Sequence, residues 1–339
     1  MSAIEAYNES TATAAEKRNE RPFFSVVLPT RNRPELFNRA LNSVLEQSFQ
    51  DFEVLVVNDG SDDDYLERYK ELEASADPRV RWHYQAQRPN GHGPSYSINT
   101  GAHRARGLYL CILDDDDSWD AVDHLQQAHA AITATGAVDA YYSNQTAYRA
   151  DGMPVQRALW LNALARKLPQ PGVTQPVDPE FLLSCPGFPH LNCSIIKREL
   201  YLGIGGMDEG IRYECEVDLY LRTLDAASLI LYNPTVVARH NVPDVAQHAN
   251  VSTNVTRVGK LLSQCNIYQK NLATANSVAV QGRCRDKLTL AYKNLAQAFA
   301  EDRDFPRATT FARMALAFRY TIKWRLYCLQ LALLAAFRG

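Results

Sequence analysis

The sequence predicts an open α/β sheet with parallel strands and helices on both faces, followed by a helical extension. Three observations predict it. Between Phe23 and Thr133, short runs rich in β-branched and aromatic residues alternate with stretches of helical apolar spacing. The strand runs end in polar loops at Thr30, Asp59 and Asp114, and a further polar loop lies at Asn90; ligands bind at such carboxyl ends in open sheets. Beyond about Asn250, strand signals fade and Ala, Leu, Lys and Arg recur at helical spacing.

Phe23 to Leu28 reads as the first strand, stopped by the turn chemistry of Pro29 through Pro34. Glu35 to Gln47 places Leu36, Phe37, Ala40, Leu41, Val44 and Leu45 on one helical face. Phe52 to Val57 is a strand ended by Asn58-Asp59-Gly60-Ser61, and Asp63 to Ala74 is a short helix. Val80 to Gln85 is a third strand, and a helix over Ser95 to Ala105 follows the Asn90 loop. Leu108 to Leu113 is a buried strand, followed by a helix from Asp120 to Thr133. Ala137 to Gln145 and Leu229 to Ala238 read as strands, and Arg149 to Pro179 as an irregular insertion. Tyr292 to Phe299 and Asp304 to Leu316 suggest a helical hairpin. Its likeness to a tetratricopeptide unit has no second copy to support a repeat.

Asp114, Asp115, Asp116 and Asp117 follow the Leu108 to Leu113 run directly. Four adjacent anions repel one another, and a divalent cation makes sense of the cluster. Oxygen donors suit Mg²⁺ or Mn²⁺, and Mg²⁺ takes one or two carboxylates plus substrate phosphates. The blander alternative is a solvated acidic turn before a helix.

The totals exclude several classes. Among 339 residues, 46% are hydrophobic and 22% charged, as in an ordinary globular protein. A formal net charge of −2 offers no bulk attraction to nucleic acid. Seven cysteines without a Cys-x-x-Cys pair argue against a zinc site or a disulfide framework and for a reducing, cytoplasmic setting. Residues 1–21 form a polar tail without a signal-peptide core. The longest apolar run, Leu326 to Phe337, is too short to span a bilayer.

Read together, the motifs resemble the family-2 glycosyltransferases of GT-A fold, whose domain is a Rossmann-like open sheet. The resemblance covers roughly Phe24 to Val242. It rests on Val26-Val27-Leu28-Pro29-Thr30-Arg31-Asn32-Arg33, Asn58-Asp59-Gly60-Ser61-Asp62, Asn99-x-Gly101-Ala102, Leu113 through Trp119, and Gly205-Gly206-Met207-Asp208-Glu209. It implies a catalytic domain over residues 22–248, with a nucleotide-binding half at 22–135 and an acceptor half at 136–248. Residues 249–339 form the helical extension.

The resemblance implies inverting transfer of a sugar from a UDP-sugar to a saccharide or glycolipid hydroxyl, with Mn²⁺ or Mg²⁺. Pro29, Thr30 and Arg31 match the segment lining the nucleotide. Asp59 matches the acid that accepts the uracil N–H, work a carboxylate suits. Asn99 is grouped with the donor-binding residues. Asp114 and Asp116 match the ends of the Asp-x-Asp motif. Asp116 is the implied metal ligand, Asp117 a further ligand, Asp114 lies toward ribose or metal-bound water, and Asp115 is the variable position on the donor side. The base belongs to Tyr213 through Arg222. There Cys215-Glu216 replaces the family's Glu-Asp, so Glu216 is the leading base, with Asp218 and Glu214 open as alternatives. His240 is a candidate metal ligand or a surface histidine. His92 and His190 lie in loops, and Trp119 reads as core.

Arg307 to Arg338 interleaves basic and aromatic residues at helical spacing. That pattern suits peripheral contact with an anionic membrane, packing on the catalytic domain, or a homo-oligomer. Nucleic acid is not expected as a partner. Two other functions compete. A sugar nucleotidyltransferase needs a glycine-rich phosphate loop, and Pro29 through Arg33 contain no glycine. A non-catalytic scaffold acting through its helical end is left open by Cys215-Glu216.

Overall fold

The strand Phe24–Thr30 (β1) is buried along its whole length and organises the sheet. Helix Pro34–Leu45 (α1) leads to Phe52–Asn58 (β2), also wholly buried, and Asp63–Ala74 (α2) leads to Val80–Tyr84 (β3). Helix Pro94–Arg104 (α3) returns the chain to Tyr109–Ile112 (β4) on the other side of β1. These four strands are parallel in the order β3-β2-β1-β4. Continuous apolar runs suit strands covered on both faces. Successive connections run away from β1 on one side and then on the other, so β1 and β4 flank a topological switch point, where open sheets bind ligands. Close helix–sheet packing explains Gly101: a Cβ there would stand 2.5 Å from a Val27 methyl.

The structure, a computed structural model, describes residues 21–149, 151–155, 160–242 and 255–336. The expected tail and the expected boundary near Asn250 lie outside them. Beyond β4 come Ser118–Trp119 (β5), His124–Thr135 (α4), Ala140–Tyr148 (β6), Trp160–Ala165 (α5), Gln175–Val177 (β7) and Pro179–Leu183 (α6). Ser194–Lys197 (β8), Arg198–Gly203 (α7), Cys215–Ala226 (α8) and Ile230–Asn241 (β9) follow. Helices Arg257–Thr274 (α9), Val278–Glu301 (α10), Phe305–Phe318 (α11) and Ile322–Ala336 (α12) complete the chain. The sheet becomes mixed past β4: β8 runs antiparallel between β4 and β6, β9 runs parallel to β6, and β5 and β7 pair antiparallel with β9.

Several boundaries differ from the sequence reading. Strand β1 runs through Pro29 to Thr30, and β6 spans Ala140–Tyr148 against an expected Ala137 to Gln145. The helix expected from Asp120 starts at His124, because Ser118 and Trp119 are drawn into pairing with Arg239 and Ala238. The segment read as irregular contains α5 and the strand β7, whose three residues give periodicity little to register. Strand β9 runs on to Asn241, so His240 lies in the strand and not beyond it.

The chain forms two compact units. Among the described residues, the first comprises those up to Val177, Pro189–Gly206 and Ala227–Asn241, and holds the whole sheet. The second comprises Asp178–Phe188, Met207–Ala226 and the described residues from Val242 onward. In it, Thr256, Ser277 and Asp304 cap α9, α10 and α11 by accepting backbone N–H bonds. The expected hairpin is α10 against α11, with Phe299 stacked on Phe311 at 5.5 Å and Tyr292 beside Phe318.

His124 is fully buried beside Trp119, and neither ring nitrogen finds a partner among the described residues. Burial lowers its pKa from 6.5 to about 3. The folded imidazole therefore stays neutral while the unfolded one takes a proton below about 6.5, so stability falls as pH drops from there toward 3. A His124→Leu variant, of similar volume and without the orphaned nitrogens, is expected to lose less stability between pH 7 and pH 5. Paired urea titrations at the two pH values check this.

Candidate active site

The candidate site forms where β1 and β4 end. The backbone turns at once after Leu113, and Asp117 N–H bonds the Asp114 carbonyl at 3.1 Å. This turn splits the four carboxylates. Asp115 and Asp117 are buried, while Asp114 and Asp116 keep partial access to solvent.

Asp115 faces β1. It accepts from Thr30 Oγ1 at 2.8 Å and from Arg33 Nη1 at 3.2 Å. The Thr30 hydroxyl has one proton and gives it to a carboxylate, so the Tyr69 hydroxyl, 2.7 Å away, donates to Thr30. Tyr69 in turn accepts from Arg33 N at 3.0 Å, and burial raises its phenol to about 12. Burial also pushes the Asp115 carboxyl up, against the pull of Arg33.

Asp117 faces the other way and clasps three elements. Its oxygens accept from Asn192 Nδ2 at 2.8 Å, from Asn241 N at 2.9 Å and from His240 Nδ1 at 3.1 Å. Asn241 Nδ2 also donates to the Asp116 carbonyl at 2.7 Å. The His240 ring stacks on His190 at 4.3 Å. Burial opposes charge on His240, but Asp117, with Asp116 and Asp114, outweighs it and lifts the imidazole to about 9. The neighbouring His190, buried and next to that cation, is pushed down to about 3.

Asp116 is left between them. Arg33 Nη1 reaches it at 3.1 Å. Burial first, and then the charges of Asp117 and Asp115, raise its carboxyl to about 7 despite Arg33 and His240. Among the described residues, no three His, Cys, Asp or Glu side chains form a metal-holding group. The donor set still fits a cation completed by a ligand's phosphates. Asp116 is crowded by like charge and partly accessible, and with Nδ1 engaged by Asp117, the Nε2 of His240 is the nitrogen that would ligate once a cation displaces its proton. A carboxylate holding the far side of a metal-binding imidazole is a common arrangement.

Asp59 ends β2 on the same edge of the sheet. Its two oxygens accept from His92 N at 2.8 Å and from Gly93 N at 2.9 Å, fixing the Gly91–Gly93 turn. Each oxygen keeps a second lone pair for a ligand. Arg31 extends over the same loop and donates to the carbonyls of Arg88 and Pro89. The His92 ring faces the Ala86 carbonyl and the Tyr96 ring.

Several sequence expectations change here. Asn99 is not among the aspartates. It accepts from Tyr201 Oη at 2.7 Å, and its amide oxygen occupies the space a Cβ on Gly206 would need, at 2.5 Å. Gly206 has φ +64°, so this motif glycine serves conformation and close packing. Thr30 is turned to Asp115 and Tyr69 through its hydroxyl. Asp117 accepts from Asn192, Asn241 and His240 and so positions His240 Nδ1. Trp119 is core, with its indole N–H donating to the Asn192 carbonyl at 2.7 Å.

The acidic segment of the second unit also sorts itself. Asp218 is fully buried and accepts from Arg222 Nε at 2.8 Å, Lys270 Nζ at 3.0 Å and Asn271 Nδ2 at 2.8 Å. These contacts make Asp218 an anchor between α8 and α9. Glu214 accepts from Gln264 at 3.0 Å at a backbone φ of +56°, and burial raises its carboxyl. Glu216 sits in the first turn of α8, where Cys215 Sγ–H donates to its Oε2 at 3.6 Å. Sequence reasoning missed Arg33, Tyr69, Asn192 and Asn241. Arg33 and Asn241 lay inside segments already singled out. Tyr69 and Asn192 carry no local signal.

Residues 25–182 match the family described as Glycosyl transferase family 2. The GalNAc(5)-diNAcBac-PP-undecaprenol beta-1,3-glucosyltransferase of Campylobacter jejuni is 35% identical over 96 residues, 28% of this chain and 30% of that protein. The succinoglycan biosynthesis protein ExoW of Rhizobium meliloti is 28% identical over 204 residues, 58% of this chain and 59% of that one. The chain thus spans less than two thirds of the curated relatives it matches. Among solved structures, S. aureus TarS 1-349 in complex with UDP-GlcNAc superposes with a TM-score of 0.62 at 15% identity, covering 87% of this chain and 81% of that one. The mannosyltransferase PcManGT of Pyrobaculum calidifontis, in complex with GDP-Man and Mn²⁺, gives 0.57 at 20% identity over 93% and 86%. At these identities the two structures speak to the fold, which is the GT-A type. From the matched segment, the mixed sheet and the carboxylate turn at its switch point, residues 25–182 belong to glycosyltransferase family 2.

Proposed function

We propose that this chain is an inverting, metal-dependent glycosyltransferase that moves a sugar from a UDP-sugar to a hydroxyl of a glycan or lipid-linked saccharide in cell-surface polysaccharide synthesis. The observation that carries the reading is the split of the aspartate turn. Two carboxylates are tied into the fold, and two, Asp114 and Asp116, remain reachable at the switch point of the sheet. Thr30, Asp59 and the aspartate turn lie at the ends of β1, β2 and β4 on one edge of the sheet, which supports the reading. Residues 22–248 are proposed as the catalytic domain, acting at the cytoplasmic side of the cell.

In this mechanism Asp59 accepts the imide N–H of the base, while Pro29 and Arg31 border the nucleotide. Asp116, with Asp114 and His240 Nε2, would hold Mn²⁺ or Mg²⁺, which supplies charge neutralisation of the diphosphate when bound. Arg33 lies within hydrogen-bond reach of Asp115 and Asp116 and keeps the turn in register. The acceptor hydroxyl oxygen forms a bond to the anomeric carbon, the bond from that carbon to the diphosphate oxygen breaks, and Glu216 takes the hydroxyl proton. Backside attack at one centre inverts it.

Glu216→Gln is expected to lower turnover by about 10²–10⁴-fold with donor binding spared, the usual range for a general base. Single-turnover kinetics beside donor titration measure the two effects separately.

A thermal-shift screen over UDP-, GDP- and dTDP-sugars, with and without Mn²⁺, tests the donor assignment. The expected result is a rise for a UDP-sugar that needs Mn²⁺, worth about 2.7 kcal/mol at a hundredfold excess over Kd. A shift confined to GDP-sugars overturns the UDP assignment. No shift and no donor hydrolysis with any of them overturns the enzyme.

A further inference from the structure

The last helix, α12, is apolar on two opposite faces. One face packs within its own unit: Cys328 and Leu331 are buried, and the Trp324 indole N–H donates to the Ala312 carbonyl at 2.9 Å. The opposite face carries Ile322, Leu326, Leu329 and Leu333, each more than half exposed. At 100° per residue these four fall within an arc of about 60°. Single exposed leucines need no explanation, but an aligned stripe on one helix marks a surface that something covers.

Charge says what covers it. Residues 305–339 contain Arg307, Arg313, Arg319, Lys323, Arg325 and Arg338, and no Asp or Glu. Lys323 and Arg325 are exposed and flank the stripe on either side. Tyr320 is exposed just before the helix, its hydroxyl 3.1 Å from Arg325 Nη1. A second copy laid along this stripe would bring cation against cation with no carboxylate on either helix to offset it. An anionic lipid surface complements both properties, because it accepts apolar side chains below its headgroups and attracts the flanking bases. No described helix is long and apolar enough to cross a membrane, so contact by α12 would be in the plane of the interface.

We infer that the exposed face of α12 docks the protein on an anionic membrane surface, with Ile322, Leu326, Leu329 and Leu333 inserted and Lys323 and Arg325 at the headgroups. The inference stands on the helix alone and does not depend on the donor or the base.

Co-sedimentation of the full chain with vesicles tests it. Binding is expected to vesicles of equal parts phosphatidylglycerol and phosphatidylcholine, and to be at least about tenfold weaker to phosphatidylcholine alone or at high salt. The double variant Leu329→Ser/Leu333→Ser and the double variant Lys323→Glu/Arg325→Glu should each lose binding by at least about tenfold. All of these positions are exposed, and circular dichroism and donor binding should be unchanged. Equal binding to both vesicle types, or binding that survives both variants, overturns the inference. So does a failure to bind any vesicle, and a dimer in light scattering that Leu329→Ser/Leu333→Ser dissociates would then assign the face to a second copy.

Discussion

Asp116→Asn is expected to abolish sugar transfer, lowering turnover by about 10³-fold or more, the scale of losing one principal charge-stabilising group at a reacting centre. The fold should survive. Asp116 stands beside two buried carboxylates and meets Arg33, itself shared with Asp115. Asparagine keeps an oxygen for Arg33 and removes the like-charge contact, so the variant should melt at the same temperature as the parent or above it. Turnover with a UDP-sugar and Mn²⁺, read beside a thermal melt, measures both halves. An active Asp116→Asn protein would sink the metal assignment. An inactive one that no longer folds would mean the carboxylate is structural. Function and stability pull against each other at such sites, because a reactive group is held where the fold alone would not put it.

Asp218→Asn should do the reverse. Its charge is fully buried and offsets those of Arg222 and Lys270, so removal leaves cations without their partner. Breaking a buried pair costs about 3–5 kcal/mol, and the lower end applies because Lys270 is partly exposed and keeps Asp208 at 2.6 Å. A urea titration should show a lower midpoint with unchanged slope, and the folded fraction should still turn over donor. Wild-type stability with lost turnover would return Asp218 to the role of base. Together with Glu216→Gln, the pair separates the acid that holds α8 in place from the acid proposed to take the proton.

Much of the fold was legible because its elements are locally encoded. The helix Asp63–Ala74 and the strands Phe52–Asn58 and Val80–Tyr84 match the reading to within a residue, since apolar period and turn chemistry both mark their ends. The helix after the aspartates started later than expected because Ser118 and Trp119 pair with β9, whose partner residues lie more than a hundred positions away. The motif residue Asn99 also has a packing partner that its motif did not reveal, because Tyr201 and Gly206, which interlock with it, lie about a hundred positions on.

The sequence by itself determined the class of sheet, the carboxylate turn at the end of β4 and the family resemblance, because each depends on short-range order along the chain. Only the tertiary structure decided what each carboxylate does. Adjacent aspartates are chemically identical until the fold gives them neighbours. Thr30 and Arg33 draw Asp115 inward, Asn192, His240 and Asn241 draw Asp117 inward, and the alternation of the turn leaves Asp114 and Asp116 partly accessible to solvent. In the same way, Arg222, Lys270 and Asn271 hold the buried Asp218 and set it apart from Glu214 and Glu216. Partners this distant in sequence leave no periodicity to read, since they are brought together by the order of strands and the packing of helices.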